Sequence, residues 1–130
     1  MIVVDASVMV EMLLRSEVGE ASRTRLVQRR EELHAPHFLY LEVANALRHC
    51  LLRGEIDDGR GSEALADLTT MSIERHEHQP LLERIWQLRH NLTAYDAAYL
   101  ALAERLDAPL LTLDSGLVSV AGHHARVELA

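Results

Sequence analysis

Hydrophobic and polar positions along the chain alternate between short β-branched or leucine runs and longer stretches of helical period. The opening MIVVDAS is a β-branched run that reads as a buried strand, with Asp5 at its carboxyl end. The pattern then predicts helices over residues 7–14 and about 19–32. His34-Ala35-Pro36 reads as a short extended link, because the residue before a proline is pushed away from helical backbone. A long helix is predicted over about 37–53, with Gly54 where a helix C-cap is expected. The polar, glycine-bearing stretch 55–61 reads as a loop, 62–70 as a helix and 72–75 as a strand. Another helix begins at Gln79-Pro80 and ends near Asn91, and the next runs from Thr93 to about Asp107. PLLTL at 109–113 is a strand that again ends in an acid, Asp114. A short helix or turn over 115–120 and a strand over 126–129 complete the pattern.

Strands separated by helical segments imply parallel strands with crossover helices, hence an α/β sandwich. In such sheets ligands bind beyond the carboxyl ends of the strands, which is where Asp5 and Asp114 fall. The sequence contains no internal repeat, low-complexity tract or linker, so residues 1–130 are expected to form a single domain.

Composition narrows the function. Hydrophobic residues make up 48% and charged residues 25% of the 130, which fits a folded globular chain and excludes a disordered or collagen-like one. Apolar runs fall short of the ~18 residues that span a bilayer, and the start lacks a basic, cleavable leader. A cytoplasmic protein with no membrane partner is the expectation. Cys50 is the single cysteine, which excludes an intramolecular disulfide and a cysteine-built zinc site. All 13 basic residues are arginine. The absence of lysine excludes Walker-type phosphate binding, Schiff-base chemistry and a pyridoxal cofactor. A net charge of −7 argues against nucleic-acid binding through a global basic field, but not against an acidic, metal-bearing site with locally grouped arginines. Eight histidines are many for this length. His76 and His78 in an HxH, and the pair His123–His124, lack further ligands at motif spacing and read as surface residues.

Four acids compete between structural and chemical roles. Asp5 could simply cap the helix that follows, as could Ser7. Asp114 precedes Ser-Gly, which a turn explains. Thr93-x-x-Asp96 matches a capping box, while on the helical wheel Asp96 borders the face carrying Tyr95, Tyr99, Leu102 and Leu106. Glu42 shares a stripe with Asn45 and His49 beside an apolar arc that runs from Leu39 to Leu51, and such a stripe is ordinarily solvated. Together, two acids at strand ends and two near helix faces supply the oxygen ligands that hard divalent cations need.

The segments IVVDAS, YLEVANAL, TAYDAAYLALAERL and LLTLD, in this order and spacing, resemble the PIN-domain ribonucleases, specifically the VapC-type toxins of bacterial toxin–antitoxin pairs. The resemblance runs over essentially the whole chain. It implies a three-layer α/β/α fold with a central, mostly parallel sheet, and a cluster of acids that binds Mg²⁺ or Mn²⁺ and cleaves RNA. By position, the family's acids fall on Asp5, Glu42, Asp96 and Asp114, and an assisting hydroxyl falls on Ser7. A further acid seen in some relatives just after the fourth is replaced here by Gly116. The resemblance also implies an RNA substrate, a cognate antitoxin and a homodimer. Val8, Met9, Met12 and Leu13 offer the antitoxin apolar surface beside Asp5 unless they face the core. The competing readings are an aspartyl-phosphate phosphoryl-transfer enzyme or receiver module, against which the missing lysine weighs, and a catalytically silent PIN-like binding module.

Overall fold

The central strand β1 (Ile2–Val4) is buried along its whole length, which suits a run without a single polar residue. The computed structural model describes all 130 residues. After β1 come α1 (Ala6–Leu14), α2 (Glu17–Gln28), β2 (Leu33–Pro36), α3 (Leu39–Leu52), α4 (Asp58–Thr70) and β3 (Ile73–His76). A 3₁₀ turn at Gln79–Leu81 leads into α5 (Leu82–Gln87), followed by α6 (Ala94–Leu106), β4 (Leu110–Thr112), α7 (Gly116–Ser119) and β5 (Val127–Leu129). The five strands form one sheet in the order β3-β2-β1-β4-β5, and every pairing is parallel. Helices α1 to α4 pack together, α5 packs on α6, and α6 lies against β1, β2 and β4. The result is the expected α/β/α arrangement, with a wholly parallel sheet. No helix is long and apolar enough to cross a membrane.

The sheet order reverses at β1, whose neighbours are β2 on one side and β4 on the other. That places the carboxyl ends of β1 and β4 side by side, which is the usual ligand position in open parallel sheets. Helix α6 is apolar enough to be enclosed: residues 97–103 are all buried. Its first turn, with Asp96, emerges at the same edge.

Several elements depart from the sequence pattern. His34-Ala35-Pro36 is not a link but most of an inner strand, in register with both β1 and β3. Three to four residues suffice for a strand once both neighbours supply hydrogen bonds, and Pro36 sits at its last position, where a missing N–H matters least. Helix α2 stops at Gln28, because the chain turns through Arg30 in left-handed backbone (φ 52°) to enter β2. Residues 58–61, read as loop, are the first turn of α4, capped by Asp57, whose carboxylate accepts the Arg60 N–H at 2.7 Å. The helix expected to reach Asn91 ends at Gln87, where Arg89 and Asn91 instead donate to carbonyls three residues back. Gly54 follows α3 with φ 73°, the left-handed conformation expected just past a helix end.

Candidate active site

The ends of β1 and β4 are joined by a network of side chains centred on Asp5, which is 8% exposed. Asp5 does cap α1: its Oδ1 accepts the Val8 N–H at 3.2 Å, along with the Ser7 hydroxyl at 2.5 Å. Its other oxygen accepts the hydroxyl of Thr112, the last residue of β4. Thr112 Oγ1 in turn accepts the Asp114 N–H at 3.0 Å, and Ser7 Oγ accepts the Leu113 N–H at 3.1 Å. The cap is therefore also the clasp between the two strand ends. The sequence analysis missed Thr112; its signal was a hydroxyl inside an otherwise apolar strand, buried here without exposure.

Asp114 is exposed, and its Oδ1 accepts the Gly116 N–H at 2.8 Å, so the turn reading of this residue holds. Asp96 is half-buried in the first turn of α6, and its N–H donates to the Thr93 hydroxyl at 3.2 Å. The Asp96 carboxyl is left to its surroundings: burial and neighbouring charge, not hydrogen bonds, act on it.

Glu42 is half-buried on α3, and its Oε1 accepts the hydroxyl of Tyr99 at 2.7 Å. Tyr99 lies on the apolar face of α6 and is buried, but its hydroxyl reaches out to hold the Glu42 carboxylate. In the Glu42, Asn45 and His49 stripe, Asn45 and His49 are exposed, as a solvated stripe would be, and only Glu42 is half-buried. The three line a groove of about 430 Å³ between α1 and α3, together with Ser7, Glu11 and Arg53. The arc beside it faces inward through Leu39, Val43, Leu47 and Cys50, whereas Leu51 at its far end is exposed.

Electrostatic repulsion links Glu42 to Asp96 and Asp5, and Asp96 to Asp114 and Asp5. Burial pushes Glu42 above the ordinary carboxyl range against the Tyr99 hydrogen bond, and repulsion from Asp96 and Asp5 adds to the rise. Asp96 is raised by burial, then by Asp114 and Asp5. Asp5 is raised by burial, which outweighs the hydrogen bonds from Ser7, Thr112 and Val8. The arrangement is an oxygen-only donor set carrying negative charge, which a hard divalent cation relieves.

The apolar stripe of α1 faces the core, as such stripes ordinarily do, whereas one histidine departs from its surface reading. Val8, Met9, Met12 and Leu13 are all core residues, so they offer no partner an apolar surface. His76 is not a free surface histidine: its Nε2 lies 2.9 Å from Nδ1 of His34, a residue buried on the adjacent strand. The partner is 42 positions earlier, beyond any local spacing motif. His78 packs on the Phe38 ring, with centroids 5.0 Å apart.

Comparison with known proteins agrees with this geometry. The PIN domain family matches residues 2–123. Ribonuclease VapC12 of Mycobacterium tuberculosis is 40% identical over 129 residues, covering 99% of this chain and 98% of that protein. The crystal structure of PAE2754 from Pyrobaculum aerophilum superposes with a TM-score of 0.72 at 28% identity, over 97% of this chain and 81% of that one. A chain of VapBC2 from Rickettsia felis, solved bound to a DNA fragment from its promoter, shares the fold with a TM-score of 0.71 at 11% identity, over 100% and 99% of the two chains. With this agreement over nearly its full length, the chain belongs to the PIN-domain family, among the VapC ribonucleases, the endoribonuclease toxins of toxin–antitoxin systems.

Proposed function

We propose that Asp5, Glu42, Asp96 and Asp114 hold one or two Mg²⁺ or Mn²⁺ ions and that the chain uses them to hydrolyse RNA phosphodiester bonds. What supports this reading is the side-chain network that ties Asp5 through Thr112 to the end of β4 beside Asp114, with Asp5 and Asp96 near enough to repel Glu42 and Asp114 near enough to repel Asp96. Bound among them, a hard divalent ion supplies a more acidic water and a counter-charge for the developing phosphorane.

The protein's own contribution is placement. Asp5 is fixed by the hydroxyls of Ser7 and Thr112 and by the Val8 N–H, so its oxygens need no rearrangement to meet a ligand. Ser7 acts by orienting Asp5. Glu42 is fixed by Tyr99. To Asp96, whose carboxyl has no hydrogen-bond donor and is raised by burial and by Asp114 and Asp5, we assign the proton from an attacking water. The groove along Asn45, His49 and Arg53 runs from Glu42 and suits the RNA strand, with the arginine contacting backbone phosphate and not base edges.

In the same reading the 130 residues act as one domain in the cytoplasm, where RNA is met, and assemble as a homodimer held inactive by a cognate antitoxin. The deciding experiment is cleavage of labelled RNA with Mg²⁺, with excess chelator, and with Mg²⁺ restored. Cleavage that is lost and regained supports the reading. RNA binding without metal-dependent cleavage would identify a silent binding module instead.

A further inference from the structure

A second group of ligating side chains lies away from the acids, on strands β2 and β3. His34 is in register with Glu74, and Pro36 with His76. Register neighbours on parallel strands share a face, as do residues two apart on one strand, so His34, Glu74 and His76 project from the same side of the sheet. Their ligating atoms all lie within 4.8 Å of one another. His34 Nδ1 is 2.9 Å from His76 Nε2 and 3.7 Å from Glu74 Oε2.

The metal-free arrangement leaves one group unpaid. The two facing ring nitrogens share a single proton, whichever ring carries it. Nε2 of His34, on the far side of that ring, is buried and has no hydrogen-bond partner in either tautomer. Glu32 Oε2 lies 4.0 Å from it, on a side chain that is 79% exposed and free to move. A buried imidazole nitrogen left without a partner is destabilising, because it has given up water and gained nothing. A metal ion on Nδ1 resolves the conflict: it takes that lone pair, fixes the proton on Nε2 and turns it towards Glu32. This is the carboxylate–histidine–metal relay in which a second carboxylate orients the ligating ring.

We infer that His34, Glu74 and His76 form a second metal site, selective for a zinc-type divalent ion. Two imidazoles and one carboxylate are a three-ligand set with a position left for water, and they favour zinc or cobalt over magnesium, which prefers oxygen alone. Tetrahedral bonds of about 2.05 Å set ligands about 3.4 Å apart, so the rings must separate by about 0.5 Å. His76 and Glu74 have room for this, since Glu74 is 69% exposed and β3 is the edge strand. Once bound, the ion cross-links the edge strand to its neighbour, at a place distinct from the β1 and β4 ends that carry the acids.

The test is a Co²⁺ titration of the full chain in saturating Mg²⁺, which keeps the oxygen-donor cluster filled with the harder ion. The expected result is the intense visible absorption of four-coordinate Co²⁺ at one equivalent, bleached by Zn²⁺. His76→Gln should abolish the band, Glu74→Gln should weaken binding at least about tenfold, and His123→Gln should leave it unchanged. His34 is interior and its replacement could disturb folding, so the assignment rests on the two variants nearer the surface. Absence of the band, its persistence in His76→Gln, or its loss in His123→Gln would overturn the inference.

Discussion

The Tyr99 hydroxyl donates to Glu42 Oε1 at 2.7 Å, across the gap between the buried helix α6 and the groove-lining helix α3. The bond favours the charged carboxylate and partly opposes the rise caused by burial. Tyr99→Phe removes only that donor, so Glu42 should move further above the ordinary carboxyl range. The acid limb of the pH–rate profile for RNA cleavage should shift to higher pH, with activity at neutrality down about tenfold. Stability should fall by only about 1 kcal/mol, readable by urea denaturation.

Asp96→Asn separates ligand from cap. Asparagine retains the backbone N–H that bonds Thr93, so the helix start is kept, while the charge is lost. RNA cleavage should fall by more than about 100-fold. The sign of the stability change depends on metal. A carboxyl raised in the folded state binds protons more readily there than in the unfolded chain, so metal-free wild type loses stability as pH rises through the folded value. In chelator at neutral pH the variant should melt no lower than wild type, and any advantage should vanish in acid. Saturating Mg²⁺ at about 100 times its Kd should stabilise wild type by about 2.7 kcal/mol and reverse the order.

Glu104 gives the opposite slope. Its carboxylate takes Arg84 Nε at 2.7 Å and Nη2 at 3.0 Å, and also the His124 N–H at 2.7 Å. Burial raises this group, but Arg84 and the His124 N–H outweigh it and hold the carboxyl below its usual range. Its stabilisation is present above the unfolded value and is lost as pH falls through the folded one. Glu104→Gln should cost about 1–3 kcal/mol at neutral pH, and the difference from wild type should close below about pH 4. Parallel melts across pH check this.

Gly19 is a steric requirement. A Cβ there would sit 2.0 Å from the Glu11 carbonyl oxygen, where the start of α2 crosses the end of α1. Backbone cannot yield as a side-chain tip does, so Gly19→Ala should destabilise by on the order of 3 kcal/mol. Thermal melting of the purified variant measures it.

The pattern along the chain was sufficient for the parallel sandwich, because β1 and β4 are short, almost wholly apolar runs and α6 is apolar on nearly every side, which only an interior accommodates. It was insufficient for β2, where a histidine and a proline mask a strand that exists through its two neighbours. The four acids were legible as residues and as resemblance, but each alone also fitted a cap, a turn or a solvated stripe. The structure shows why: Asp5, Asp114 and the Asp96 turn do make those local bonds while sharing one electrostatic neighbourhood. Tyr99, Thr112 and the His34–His76 pair were not legible, since their partners lie 57, 107 and 42 residues away in sequence.

The clasp between Thr112 and Asp5 also joins the first part of the chain to be made to one of the last. The first strand is made at the start of synthesis, yet its partner strand and the hydroxyl that fixes its terminal acid arrive 107 residues later. A ribosome making this chain therefore carries an unfinished nuclease for most of the elongation time. A chain that ends before β4 lacks both Thr112 and Asp114, so Asp5 is left without the hydroxyl that holds its second oxygen. For an enzyme that attacks RNA, the order of its strands is a built-in delay between translation and danger.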